Sequence, residues 1–587
     1  MVRNKLEKKI ALFLTTLTLL LIITPLGSPV RQLKVIGATW IYAPAVSETS
    51  GGLRGALVNI SLIVTEGFGD VYVATSSLTE KDMQAAATTA ARIASEILNL
   101  NFRNYNFYFK VSSDAIVIGG PSAGVALTVL SFSALSGIPI NRSVLVTGMI
   151  NPDGTVGPVG GVFEKAEIAA KSGIKLFLIP PGQSIVSKVK VIKEQVGPFI
   201  IQRVRREPVN LVKYAKENWN LKVKEIESVY EAVKYFTGYL IKLPEYSEPS
   251  LSQDMLEALT AQASKLMNEA ERNYREVVDE IKRSSIDPFE KQRLLEILDE
   301  RSLKPLMAAR EEPDPYERAN LALSSVINSE WIRLIHSYTT HRLELNKIVS
   351  KLEKELNETI GLVRKGWKEI NDRADIVFLL VATDRAVDAK EKLRQASEIW
   401  DKDRSEGLRL LAYVKWRIYT VKLWYEMTKV REGAEIRLEG LKEIAANYLA
   451  EARSTWSYAG TLLEEMGSGG VMLDEAFRAY QLAKDSFMEN DYVTTCVEAI
   501  KSLSYSEASI ASAITDITLN STYIIQYSRR TALMNIARAS EAVEPVVSIL
   551  YLRSGDRSEG IDSRVLFYKL SSYYAKLIRD IASLAKA

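Results

Sequence analysis

The constraint that most limits this chain is a change of hydrophobic period near residue 243. Up to there, short β-branched runs alternate with helical ones. Beyond it glycine nearly vanishes and apolar residues recur at helical spacing to the C-terminus. A strand turns its side chains with period 2 and a helix with period 3.6, so one segment cannot satisfy both. The chain therefore divides into an α/β (α+β) unit over residues 31–243 and a large all-α bundle or solenoid over 251–587. The proline-containing segment "PEYSEPS", 244–250, links them. A chain of 587 residues is in any case too long for one hydrophobic core.

In the first unit "GALVNISLIV" and "VYVATS" flank "TEGFGD", which reads as a hairpin loop. "LTEKDMQAAATTAARIASEILNL" reads as a helix capped by Thr79, and "YNFYFKV" as a strand. "SVLVTGMI" is expected as one strand followed by an "NPDG" turn, then a helix from about Phe163 to Lys171 and a strand "KLFLIP". An inserted hairpin near 185–206 turns at Gly197-Pro198, and "LKVKEIES" with "VYEAVKYFTGYL" closes the unit as strand and helix. In the second unit, breaks are expected at "SSIDP", "REEPDP", "MGSGG" and "RSGDR". The stretch from Glu475 to Ala508 has the alanine and aromatic spacing of a tetratricopeptide-type helical pair.

Charge excludes little. The 75 Lys and Arg nearly balance the 72 Asp and Glu, so no overall field draws in nucleic acid, and none is expected as a partner. A lone cysteine, Cys496, rules out an intramolecular disulfide and a thiolate zinc site. His336 and His341 are the only histidines; five residues apart, they do not share a helical face. No metal or cofactor site is expected, and no histidine is available to catalysis within the first unit.

The N-terminus is basic, and Ile10–Leu26 is uncharged over 17 residues, between a signal h-region and a spanning helix. Residues 1–30 therefore read as a signal anchor or signal peptide. This expectation places the chain on the cell membrane, single-pass and mostly extracytoplasmic, or secreted if the segment is cleaved.

The chemistry concentrates in "IGGPSAGVALTVLSFSAL". Gly119 and Gly120 permit backbone bends closed to other residues, Pro121 fixes the approach to a helix, and Ser122 sits at the start of an apolar run. Its surroundings offer backbone N–H groups to a developing oxyanion, with Ala123 beside it. A serine needs a base, and lysine replaces histidine when its ammonium is desolvated or near positive potential. Lys165, after Gly160-Gly161 in the first turn of the expected 163–171 helix and among Val162, Phe163, Ala166 and Ile168, has that setting. Each feature also has a plainer meaning: an N-cap serine, a solvated lysine, an ordinary glycine turn.

Taken in order, "GGPSAG", "VTG" and "GGVFEKAEIAAKSGIKLFLIP" resemble the proteolytic domain of the Lon family, most closely membrane-anchored Lon-like proteases lacking the ATPase module. The resemblance spans about Ala43 to Gly238. It implies Ser122 as nucleophile, Lys165 as general base, Thr147 as support for the lysine amine, and Gly119, Gly120, Pro121 and Ala123 as the oxyanion and active-site loop. The implied activity is an ATP-independent serine endopeptidase acting on unfolded or partly folded proteins and peptides, in a homo-oligomer. Many Lon proteases carry an aspartate three residues before the nucleophile, where this chain has Gly119, and no G-x-x-x-x-G-K-[ST] loop is present. Two alternatives stay open: an inactive Lon-like scaffold, and an anion- or phosphate-binding module built on the "GGPSAG" turn.

Overall fold

The computed structural model describes residues 34–584 apart from 50–51, 76–80, 113–120, 153, 197–198, 243–245, 371, 431–439, 466–469 and 519–521. Thr79, Gly119, Gly120, the Gly197-Pro198 turn and the hydrophobic stretch Ile10–Leu26 lie outside the described residues. Among the described residues no helix is long and apolar enough to cross a membrane. The expectation of a transmembrane signal anchor, and with it the single-pass cell-membrane placement, is corrected on that finding.

The α/β half opens with two long antiparallel strands, β1 (Val35–Thr49) and β2 (Gly52–Glu66), in register from Thr39↔Leu62 to Thr49↔Gly52. The "TEGFGD" loop is not a hairpin. β3 (Val71–Thr75) pairs parallel with β4 (Tyr105–Ser112), which inserts between it and β2, giving the order β1-β2-β4-β3. Asn106 fixes the loop: its side-chain oxygen accepts from the Phe68 and Asp70 N–H groups at 2.8 and 3.0 Å. The parallel β3–β4 pair requires a crossover, supplied by α1 (Lys81–Ile97).

The expected strand "SVLVTGMI" is split. β5 (Val144–Val146) joins a parallel sheet of order β11-β8-β5 with β8 (Leu176–Ile179) and β11 (Lys222–Glu225), whereas β6 (Met149–Ile150) pairs antiparallel with β7 (Val156–Gly157). β9 (Ile185–Val196) and β10 (Phe199–Asn210) form the inserted hairpin, longer than expected at its second strand. Four further helices are α2 (Gly124–Ser136), α3 (Val162–Lys171), α4 (Leu211–Trp219) and α5 (Val229–Thr237). α4 was not expected. Asn210 starts it by accepting from the Lys213 N–H at 3.0 Å.

From Gln253 onward the structure is helical. Breaks fall at 284–287 and 312–314 as expected, but not at "RSGDR", which lies inside the helix Val546–Arg557. Gly555 serves packing there: a Cβ would come within 2.6 Å of the Tyr568 ring. The long run around the two histidines breaks instead at His341, whose φ of +55° ends the helix Pro315–Thr339. The pair Val471–Met488 and Tyr492–Thr518 packs as a helical hairpin.

The two halves share a core. Ala86, Ala87, Ala90, Ala91 and Ala94 of α1 are fully buried; they contact α2 on one side and the helix Leu441–Glu465 on the other. Small side chains let the helices approach, and Tyr458 and Leu462 fill the gap. Arg92–Glu451 at 3.5 Å and Lys576–Glu96 at 2.5 Å tie the rim.

Candidate active site

Ser122 lies in a single 3-10 turn, Pro121–Ala123, that leads into α2. α2 is apolar on every side and its residues from Gly124 to Ala134 are buried, so it is a core helix that fixes the turn at its end. The residue that caps α2 is Ala123, in helical conformation and without a side-chain cap bond. Ser122 is therefore not the helix N-cap, which removes the plainest reason for a serine at this position.

The interruption of "SVLVTGMI" builds the site. Thr147 and Gly148 sit between β5 and β6, and the Gly148 N–H donates to the Ser122 carbonyl at 3.0 Å while the Gly148 carbonyl accepts from Val125 N–H at 3.2 Å. The buried Thr147 hydroxyl also reaches the Ser122 carbonyl, at 3.4 Å, and the Thr147 N–H donates to Leu178 of β8. The structure thus joins Thr147 to the main chain of Ser122. The Val125 N–H is thereby committed to Gly148.

The side of Gly124 on which a Cβ would stand is filled by Ile150. A Cβ there would lie 2.5 Å from Ile150 Cγ2 and 2.7 Å from the Ile150 nitrogen. The glycine lets β6 close against α2.

Lys165 sits in the first turn of α3, its N–H bonded to the Gly161 carbonyl at 2.9 Å, and the residue is only 2% exposed. Its neighbours Val162, Phe163 and Ala166 are buried, while Glu167 faces solvent and pairs with Lys171 at 2.9 Å. Only Gly161 of the glycine pair is sterically required: its φ is +65° and a Cβ would stand 2.6 Å from Val46 Cγ1, whereas a Cβ on Gly160 meets nothing.

β1 is the floor common to both groups. Gly37 abuts the Ala134 carbonyl of α2. The Ser122 turn contacts β1, as does α3, whose Gly161 rests on Val46. The serine turn and the lysine helix thus both rest on β1.

Sequence reasoning passed over Asn151, taken only as a turn former. It is 8% exposed; its side-chain N–H donates to Thr155 Oγ1 at 2.8 Å, and its Oδ1 has no hydrogen-bond partner among the described residues. A polar side chain in an otherwise apolar run was the available signal. No group of three or more potential metal ligands occurs among the described residues. A cavity of about 1200 Å³ between residues 360–394 and 477–494 of the helical half holds none of the expected site residues.

Residues 47–202 match the Lon protease (S16) C-terminal proteolytic domain. The chain is 31% identical over 175 residues to a Lon protease of Chloroflexus aggregans, covering 29% of this chain and 20% of that protein. It is 30% identical over 230 residues to one of Syntrophomonas wolfei, covering 37% and 27%, and 33% identical over 131 residues to one of Rickettsia prowazekii, covering 22% and 17%. The chain thus spans about a quarter or less of the curated relatives it matches, and the family match leaves the helical half uncovered.

Proposed function

We propose that this chain is a serine endopeptidase that cleaves unfolded or partly folded proteins and peptides with a Ser122–Lys165 dyad and without ATP. The observation that carries the reading is the burial of Lys165 in the first turn of α3, inside a Lon-type proteolytic domain whose Ser122 turn shares the floor strand β1. Burial disfavours an ammonium ion, and a base must be neutral to act.

Neutral Lys165 takes the Ser122 hydroxyl proton as the oxygen adds to the scissile carbonyl. The tetrahedral oxyanion rests on backbone N–H groups of the serine turn. Its collapse breaks the C–N bond, and the Lys165 ammonium returns the proton to the leaving amine. A water molecule then releases the acyl-enzyme through the same base. Thr147 and Gly148 act by holding the Ser122 carbonyl, and so the turn, in place. The absence of a phosphate-binding G-x-x-x-x-G-K-[ST] loop supports independence from ATP.

The test is cleavage of an unfolded protein by wild type, Ser122→Ala and Lys165→Met, with a fluorophosphonate label followed on intact protein. Wild type is expected to cleave and to label at Ser122. Each variant is expected to lose activity by about a thousandfold or more while unfolding at a temperature near wild type. Equal cleavage by all three overturns the assignment.

A further inference from the structure

A second cavity, of about 660 Å³, lies where the two halves meet, lined by α1, the turn Phe102–Asn104 and the helices Thr522–Ser540 and Ile561–Ala582. Its size is that of a small-ligand site, and its charges do not balance. Four of its five carboxylates, all but the exposed Asp70, are already held by cations. Glu96 pairs with Lys576 at 2.5 Å, Glu451 with Arg92 at 3.5 Å, Glu507 with Lys569 at 2.7 Å and Asp580 with Arg579 at 3.2 Å. Four further cations line the same space and form no ion pair among the described residues: Arg103 and Lys242 from the α/β half, Arg530 and Arg538 from the helical half. The three arginines are half-buried.

The side chain of one of these residues and the backbone of another are held in place. Arg530 lies over the Tyr527 ring, 4.8 Å from its centroid. Arg103 sits in a turn whose N–H is bonded at 3.0 Å to the Asn101 side chain. Arg530 and Arg538 are eight residues apart on one helix, about 12 Å along its axis, a distance that two guanidinium arms close on one elongated anion. The guanidinium fork pairs bidentately with phosphate and carboxylate oxygens.

We infer that this cavity binds a small multivalent oxyanion, gripped from both halves by Arg103, Lys242, Arg530 and Arg538. Pro152, in the turn between β6 and β7, lines the same cavity, so the anion rests against the segment running from Gly148 to α3. The site is separate from the serine turn, and the inference stands whether or not the chain is a peptidase.

Calorimetric titration of the full-length protein with inorganic phosphate, tripolyphosphate and citrate, at matched ionic strength, tests it. Saturable one-to-one binding of tripolyphosphate is expected, at least tenfold tighter than inorganic phosphate. The double variant Arg530→Gln/Arg538→Gln is expected to weaken it at least tenfold while unfolding near the wild-type temperature, and Lys422→Gln, on an exposed remote surface, to leave it unchanged. Citrate binding tenfold weaker than tripolyphosphate identifies phosphate as the ligand class, and citrate binding as tightly or tighter identifies a polycarboxylate; either supports the site. No saturable binding of tripolyphosphate or citrate, or unchanged affinity in the double variant, overturns it.

Discussion

Replacing Gly124 by alanine tests whether the serine turn is held by close packing against β6. The added Cβ would lie 2.5 Å from Ile150 Cγ2 and 2.7 Å from the Ile150 nitrogen. Carbon atoms in contact sit about 3.5–4.0 Å apart, so roughly 1 Å of overlap must be relieved. Ile150 is fully buried and paired in the β6–β7 hairpin, and one of the two clashing atoms is backbone. A side-chain rotation cannot relieve the clash, so β6 or α2 must move. Overpacking of this kind costs about 1–3 kcal/mol, which lowers the melting temperature of a domain this size by about 2–4 °C for each kcal/mol. Because Gly148 precedes β6 directly and holds the Ser122 carbonyl, the same movement displaces Ser122, the proposed nucleophile, and a 1 Å error costs about a hundredfold in rate. Urea unfolding alongside hydrolysis of an unfolded protein reads both effects. Gly361→Ala is the control: that glycine is exposed on the helix Leu345–Lys368 with nothing near its Cβ position, so alanine should stabilise by about 0.5–1 kcal/mol. A Gly124→Ala protein that unfolds within about 0.5 kcal/mol of wild type, below the smallest overpacking cost, and keeps its rate would refute the packing argument.

Removing one partner of the buried Lys569–Glu507 pair, 2.7 Å apart, as Lys569→Met should cost about 3–5 kcal/mol in urea unfolding, and Lys569→Met with Glu507→Leu should recover much of it. Cys496 is fully buried and burial raises its thiol pKa, so iodoacetamide at pH 8 should leave native protein unmodified and alkylate it fully in urea. Asp287 and Asp314 both cap helices, Asp287 at the Phe289 and Glu290 N–H groups and Asp314 at those of Tyr316 and Glu317. Asp314 also meets Arg553 at 3.1 Å, so Asp314→Ala should cost more than the roughly 1 kcal/mol expected for Asp287→Ala; equal losses in thermal unfolding would show that the ion pair contributes nothing.

Local pattern carried much of this structure. The apolar runs at 105–112 and 176–179, the 185–210 hairpin and the helical half follow from period, turn residues and caps, properties of neighbours in the chain. The order of "GGPSAG", "VTG" and "GG…K" likewise pointed to a Lon-type domain, in agreement with the family match over residues 47–202. Other features rest on contacts between residues far apart in sequence. The pairing of β3 with β4, the break of one apolar run at Thr147-Gly148 and the persistence of helix through Gly555 depend on which strand or ring lies opposite. So do the filling of the space beside Gly124 by Ile150 and the cavity between the halves, where three arginines have no ion-pair partner among the described residues. A sequence fixes what each segment prefers by itself, but a glycine's purpose or an arginine's missing partner is defined only by the atoms that folding brings to meet it.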